Sequence, residues 1–340
     1  MLELTDKIKI DPFRRRCALI TGVNGQDGYY LSEWLFRKGY EVYGISRSLT
    51  QIPTDMKDWL TGIFCVDLTE PQGLAEFVRR VQPHEVYHLA AHHFSSQNNE
   101  NCTGQLNPFV AVNLLAPNII LEVLRYEFPQ SRFFYAASPH VFGLADVCPQ
   151  TEGTPHRPKT PYGISKSAGV HLCGYYRENF GLHTSAGILY NHESPRRSAN
   201  FVTTQIVRAA AKAALGSPEP LKIRDLDAVV DWGAAQDYVI AMWQMLQQPR
   251  GDDFIIASGV PRTVLDFAVT AFNYVGLRAA DFIFQEKKTN LTKSLPYVGD
   301  NSKIRQICEW KPSVSFVDLV TTMVDSHIQL YNNRQTTGNE

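Results

Sequence analysis

Between residues 17 and 138, short runs of β-branched and aromatic residues alternate with stretches whose apolar positions recur at helical spacing. Runs at 17–23, 40–47, 62–68, 85–91 and 132–138 read as buried strands, and 28–39 reads as the first amphipathic helix. Repeated strand–helix–strand units imply an α/β fold, a doubly wound parallel sheet whose ligands sit at the C-terminal ends of the strands. From about residue 192 the texture changes. A loop-like stretch precedes a helical pattern at 201–216, and short elements separated by Pro and Gly follow. The organisation this predicts is a dinucleotide-binding region at 13–191, with parts of the later chain returning to it. A smaller, mainly substrate-binding C-terminal lobe follows at 192–330, then a frayed polar tail at 331–340.

Composition narrows the function. A chain of 340 residues suits one long α/β unit or two lobes sharing a cleft. With 44% apolar and 20% charged residues it is neither disordered nor fibrous. Lys and Arg number 33 against 34 Asp and Glu, which argues against a broad nucleic-acid surface but allows a local phosphate pocket. The six cysteines include no CxxC pair, so they read as thiols of a reducing compartment rather than disulfides or a zinc site. The first residues are polar, with no secretory apolar core, and no apolar run approaches a membrane span. A cytoplasmic protein with no membrane partner is expected.

The turn after the first strand reads Thr21-Gly22-Val23-Asn24-Gly25-Gln26-Asp27-Gly28. Glycines spaced GxxGxxG let the backbone turn tightly and approach a pyrophosphate, whose charge then faces a helix N-terminus. This strand–turn–helix context marks a Rossmann-type dinucleotide site over Gly22, Asn24, Gly25, Gln26, Asp27 and Gly28. The second strand ends Ile45-Ser46-Arg47-Ser48 without a carboxylate for a ribose 2′-hydroxyl. Arg47 and Ser48 instead suit a 2′-phosphate, so NADP is favoured over NAD. Asp67 and Leu68 close the third strand, where the adenine would lie.

Tyr162 and Lys166 stand four residues apart, on one face of a helix. A tyrosine titrates near pH 10 and is a poor base at neutrality, but a neighbouring cation favours its phenolate. Ser138, ending the fifth strand, supplies an accompanying hydroxyl. Four histidines, His92, His93, His140 and His192, lack any metal-ligand spacing, and no metal is expected.

With these residues in view, the chain resembles the extended short-chain dehydrogenase/reductase family, in its nucleotide-sugar-modifying branch. The stretches TGVNGQDGYYL, HLAA, PYGISK and GDNSKIRQICEWKPSVSF follow that pattern in order. It is most similar to the GDP-mannose 4,6-dehydratase family, through 21–31, 187–197 and 231–239. The resemblance implies an NADP enzyme that takes hydride from C4 of a hexose, loses water across C5 and C6, and returns the hydride to C6. Tyr162 would be the base, and Lys166 would hold the ribose and lower the tyrosine pKa. Ser138 takes the serine/threonine position. The resemblance extends the cofactor contacts to Leu89, Ala90, Ala91, Leu189, Asn191 and His192. It places His93, Ser138, Asn191, Glu193, Arg197, Gln205 and Arg224 at the substrate, a nucleotide sugar that is GDP-linked, and it implies a homodimer or homotetramer.

The pattern breaks in three places. The family glutamate that removes the C5 proton is His140, whose neutral imidazole could serve as the base. Two cations expected near the nucleotide are absent: Thr203-Thr204-Gln205 replaces a lysine-bearing stretch, and Val230 replaces an arginine. Arg196, Arg197 and Arg224 are available to compensate. The loop at 92–100, which frames the sugar in the family, is rewritten. These departures leave three readings: a dehydratase, a 4-ketoreductase or epimerase that shares the hydride step, and an NADP-binding protein without turnover.

Overall fold

The computed structural model describes residues 15–49, 52–92, 106–286 and 295–337. Its strands are β1 (Cys17–Thr21), β2 (Glu41–Ser46), β3 (Gly62–Cys65), β4 (Glu85–His88), β5 (Arg132–Ala137) and β6 (His183–Leu189), followed by β7 (Asn191–Glu193), β8 (Leu221–Ile223), β9 (Val229–Ala234), β10 (Phe254–Ile256), β11 (Pro261–Thr263) and β12 (Ile283–Gln285). Seven of them form one sheet in the order β10-β6-β5-β4-β1-β2-β3, with every pairing parallel. This is the doubly wound α/β sheet that the alternating sequence implies. The C-terminal ends of β1, β4, β5 and β6 therefore open on the same edge.

The helices are α1 (Gln26–Arg37), α2 (Pro71–Val81), α3 (Asn107–Val110), α4 (Ala116–Glu127) and α5 (Pro161–Phe180), then α6 (Val202–Ala214), α7 (Ala235–Gln247), α8 (Val264–Tyr274), α9 (Ser302–Cys308) and α10 (Phe316–Thr337). α2, α4 and α5 cover one face of the sheet, and α1, α7 and α9 cover the other. Periodicity explains the choice of face. In α2 the buried residues are Leu74, Phe77, Val78 and Val81, a single apolar stripe turned toward the sheet. Each such side chain contributes about 2 kcal/mol of burial.

A third apolar cluster unites α6, α8 and α10 around Trp232, Phe267, Phe272 and Val320, with the β11-β9-β7 sheet beside it. Between α6 and α8 the chain goes back to the large sheet, where α7 packs on its face and β10 extends its edge. The stretch expected as a polar tail from 331 is helical as far as Thr337. Leu319, Val320, Met323 and Val324 anchor α10 in the third cluster, and the helix continues beyond that anchorage.

One helical stretch, 107–127, is long and apolar enough by composition to cross a membrane. Its Ile120, Leu121 and Leu124 are fully buried in the cluster beneath the sheet, which accounts for the apolarity.

Candidate active site

Ser138 ends β5 in extended conformation, and its hydroxyl accepts from the His140 backbone N–H at 3.4 Å, opening the tight turn Pro139–Val141. α5 starts beside that turn. Thr160 caps it by accepting from Gly163 N at 3.0 Å, and Pro161 occupies its first position, where no N–H is needed. Gly163 allows the close approach, because a Cβ there would lie 2.5 Å from the His140 carbonyl oxygen. Tyr162 and Lys166 are thereby brought against the end of β5.

Ser138, His140, Tyr162 and Lys166, the four residues expected to carry the chemistry, are gathered here. The Tyr162 hydroxyl shares a hydrogen bond with Ser138. The His140 ring stands edge-on to Tyr162, with centroids 5.7 Å apart, and meets Tyr297 at the same distance. Lys166 is 1% exposed; its Nζ donates to the Ala136 carbonyl at 2.8 Å and lies 5.9 Å from the Tyr162 ring centre.

The electrostatics correct one expectation. Burial pushes the Tyr162 phenol up to about 12, against the Ser138 hydrogen bond and the charge of Arg197, which pull it down. Burial likewise brings Lys166 down to about 7. In the protein alone, the lysine's charge is thus not what tunes the tyrosine. Burial also lowers His140, leaving a neutral ring at neutral pH that is free to accept a proton.

On the dinucleotide side, Gly22 adopts φ +71°, and a Cβ there would meet the Ala90 backbone at 2.9 Å. Leu89 N donates to the Thr21 carbonyl and Ala90 N to the Thr21 hydroxyl, so Leu89, Ala90 and Ala91 run beside the glycine loop. No side chain caps α1, leaving its N-terminus to an anionic group. This cradle fits a dinucleotide pyrophosphate. Arg47 and Asp67 are exposed, and Ser48 half-exposed, beyond the ends of β2 and β3. Hydrogen bonds from Thr69 hold Asp67 below the ordinary carboxylate value, with Arg47's charge adding to them. Leu68 is buried and can face an adenine only with its backbone.

Other expected contacts are placed differently. Gln26, Asp27 and His192 turn their side chains toward one another, as described below. Glu193 is enclosed by protein: it is 2% exposed, accepts from Thr203 Oγ1 at 2.9 Å and pairs with Arg197 Nε at 3.1 Å. That pairing also takes up part of Arg197, whose guanidinium stacks on Phe201 at 3.6 Å. Asn191 is exposed at the start of β7, directly after Leu189 and Tyr190, and Gln205 is half-buried in α6. Arg224 is exposed directly after β8, at the end of the separate β12-β8 sheet. His93 lies outside the described residues.

Sequence reasoning missed Asn113. It sits in a π-turn, Ala111–Leu115, between α3 and α4. Its amide accepts from His92 N at 3.0 Å and donates to the His92 carbonyl at 3.2 Å and to Ser165 Oγ at 3.0 Å. Its own carbonyl accepts from Tyr135 OH at 2.7 Å. One buried amide thus ties the chain after β4 to α5. The available signal was a lone amide in an apolar helical stretch. His88 was missed as well. Burial and the charge of Lys166 bring it down to about 3, and it bridges Thr21 Oγ1 at 3.0 Å and the Val112 carbonyl at 3.1 Å as a neutral ring.

Comparison with known proteins agrees with this fold. The chain is 36% identical over 343 residues to GDP-mannose 4,6 dehydratase 2 of Arabidopsis thaliana, covering 96% of this chain and 90% of the relative. Among solved structures, dTDP-glucose 4,6-dehydratase from Bacillus anthracis in complex with NAD superposes with a TM-score of 0.79 at 17% identity, covering 94% of this chain and 98% of that one. RMD from Pseudomonas aeruginosa complexed with NADPH gives 0.77 at 20% identity, with 93% and 99% covered. At those identities the solved structures speak for the fold alone. The family model described as GDP-mannose 4,6 dehydratase matches residues 19–323, and the chain belongs to that family.

Proposed function

We propose that this protein oxidises C4 of a GDP-linked hexose and then removes water across C5 and C6. The observation that carries this reading is the convergence of Ser138, His140, Tyr162 and Lys166 at the end of β5, beside a glycine loop built to approach a pyrophosphate. Bound there, a nicotinamide ring would take up a hydride and give it back. As its phenolate, which an ammonium at Lys166 would favour, Tyr162 would accept the C4 hydroxyl proton while Ser138 holds its oxygen in place. Lys166 would hold the ribose, and contact with a charged partner would favour its ammonium form over the near-neutral state it has alone.

A C4 ketone makes the C5 proton acidic. His140, neutral and beside Tyr162, would remove it, and the imidazolium so formed would protonate the C6 hydroxyl as it leaves as water. Asn191, exposed at the head of β7, would meet the sugar diphosphate, with Gln205 and Arg224 as further contacts from the 192–330 lobe. NADP is favoured because β2 ends with an exposed arginine and no carboxylate. No disulfide joins the described cysteines, in keeping with a reducing cytoplasm. A homodimer or homotetramer would use α4 and α5, whose outer faces leave Tyr126, Tyr175 and Ile164 exposed.

One observation favours a second reading. An imidazole at position 140 can serve a 4-ketoreductase or epimerase that stops short of water loss. Incubation with NADP⁺ and, separately, GDP-mannose, UDP-glucose and dTDP-glucose decides between them. A product lighter by one water, formed from the GDP sugar, is expected. A product of unchanged mass and inverted C4 would favour the epimerase.

A further inference from the structure

Two motifs more than 160 residues apart close on each other. From the first turn of α1, Gln26 Nε2 donates to the His192 carbonyl at 3.0 Å and its Oε1 accepts from Ser194 Oγ at 2.8 Å. One residue on, both carboxylate oxygens of Asp27 lie 3.0 Å from His192 Nε2. Farther along the helix, Tyr30 bonds Ser194, and Arg196 stacks over the Tyr29 ring at 3.8 Å. The start of the helix that follows the glycine loop, residues 26–30, is thus bound to β7 and the loop after it.

The His192 ring has a second partner. Its Nδ1 lies 2.7 Å from the Tyr190 carbonyl oxygen. A carbonyl oxygen and a carboxylate oxygen can only accept, so both ring nitrogens must donate, and only imidazolium does that. Tyr238 from α7 stacks on the ring at 4.7 Å, 23° from parallel, and shields it. The other charged groups facing this site, Arg197 and Glu193, come from β7 and its following loop; the arginine opposes the ring's charge and the glutamate favours it.

We infer that Asp27 and His192 form an imidazolium–carboxylate clasp that fixes the glycine loop and its helix against β7, and so act as a positioning pair for hydride transfer. The role rests on the proposed function, since it assumes a cofactor on the glycine loop and a sugar diphosphate at Asn191. Asn191 directly precedes the clasped histidine and Gly25 lies two residues before Asp27. A slip of the clasp would therefore change the spacing between the two bound molecules, and a displacement of about 1 Å can cost roughly 100-fold in rate.

The test uses full-length protein with ¹⁵N-labelled histidine. At about pH 8, well above the ordinary histidine value near 6.5, one ring is expected to stay doubly protonated. That signal should vanish in His192→Gln and turn neutral in Asp27→Asn. With nucleotide sugar, Asp27→Asn is expected to lose roughly 30- to 100-fold in kcat, with the alkaline limb of its pH profile moved to lower pH. NADPH affinity should change far less, and Asp27→Glu should recover part of the loss.

A wild-type spectrum in which every ring is neutral at that pH overturns the clasp, and needs no variant to fold. A charged ring with unchanged kcat in Asp27→Asn overturns the positioning role. A chain that turns over no nucleotide sugar contradicts the functional reading, while the ring signal still decides whether the clasp exists.

Discussion

The His140 ring stands at 76° to the Tyr162 ring, centroids 5.7 Å apart, so an imidazole and a phenol share the end of β5. Each is buried into its neutral form, by one cause acting in opposite directions. Desolvation lowers the histidine, whose charged form is a cation, and raises the tyrosine, whose charged form is an anion. The neutral imidazole is ready to take the C5 proton, whereas the phenol must first become phenolate to take the proton of the C4 hydroxyl.

Replacing His140 by Gln should lower water loss by about 10²- to 10⁴-fold, the usual worth of a positioned base. C4 oxidation should survive, visible as a burst of reduced cofactor absorbance, and His140→Glu should restore dehydration. Because the active form is the neutral ring and its pKa is lowered, wild-type activity should persist as pH falls through 6.5. An acid limb above that value would argue against the assignment.

Tyr162→Phe should abolish the burst itself, whereas Ser138→Ala should weaken it less, since the serine only holds the oxygen. With its phenol at about 12, Tyr162 should contribute no tyrosinate absorbance at about pH 9 in the cofactor-free protein. Ultraviolet difference titration of wild type against Tyr162→Phe reads this directly.

Lys166→Met should separate stability from activity. Burial lowers the lysine to about 7 from 10.5, so the unfolded chain binds more protons than the native one between those values, and native stability rises with pH across that window. Below about 7 the cost of burying the ammonium is fully present. The methionine variant should therefore melt higher than wild type in the absence of cofactor, with the gap largest below neutrality and shrinking toward pH 10. Turnover should be lost.

The clasp has its own pH window. For His192, burial works against the charged ring, but Asp27's charge and hydrogen bond prevail and the value is raised; for Asp27, burial is outweighed by His192 and the value is lowered. Stabilisation from the histidine is full below its unfolded value near 6.5 and is lost as pH rises through its raised folded value. That from the aspartate is full above about 3.8 and is lost at lower pH. His192→Gln should thus be most destabilised, by about 3 kcal/mol for a broken buried pair, between roughly pH 4 and 6.5. Denaturant melts across that range measure it.

Much of this was legible in the chain because it is local. Each strand of the large sheet from β1 to β5 lies within an apolar run, and Tyr162 and Lys166 declare their shared face by spacing alone. The glycine loop is equally local. What could not be read depends on partners distant in sequence. Gln26, Asp27 and His192 read as separate cofactor contacts, because nothing near either motif says that they bind each other. Glu193 reads as a substrate contact from its motif, and only the fold shows that Thr203 and Arg197 enclose it. The last turns of α10 are polar, and only the anchorage of Val320 and Met323 upstream makes them helix. Asn113 owes its role to a π-turn that exposes its carbonyl to Tyr135, a feature with no sequence period.

The most direct test of the central claim is incubation of the wild-type protein with GDP-mannose and NADP⁺ in deuterium oxide, with the sugar nucleotide followed by mass spectrometry and NMR. The account predicts loss of one water and gain of one solvent deuteron at C5, with the hydrogen taken from C4 recovered at C6 and no net change in cofactor. An unaltered sugar, or water lost without deuterium at C5, would contradict it.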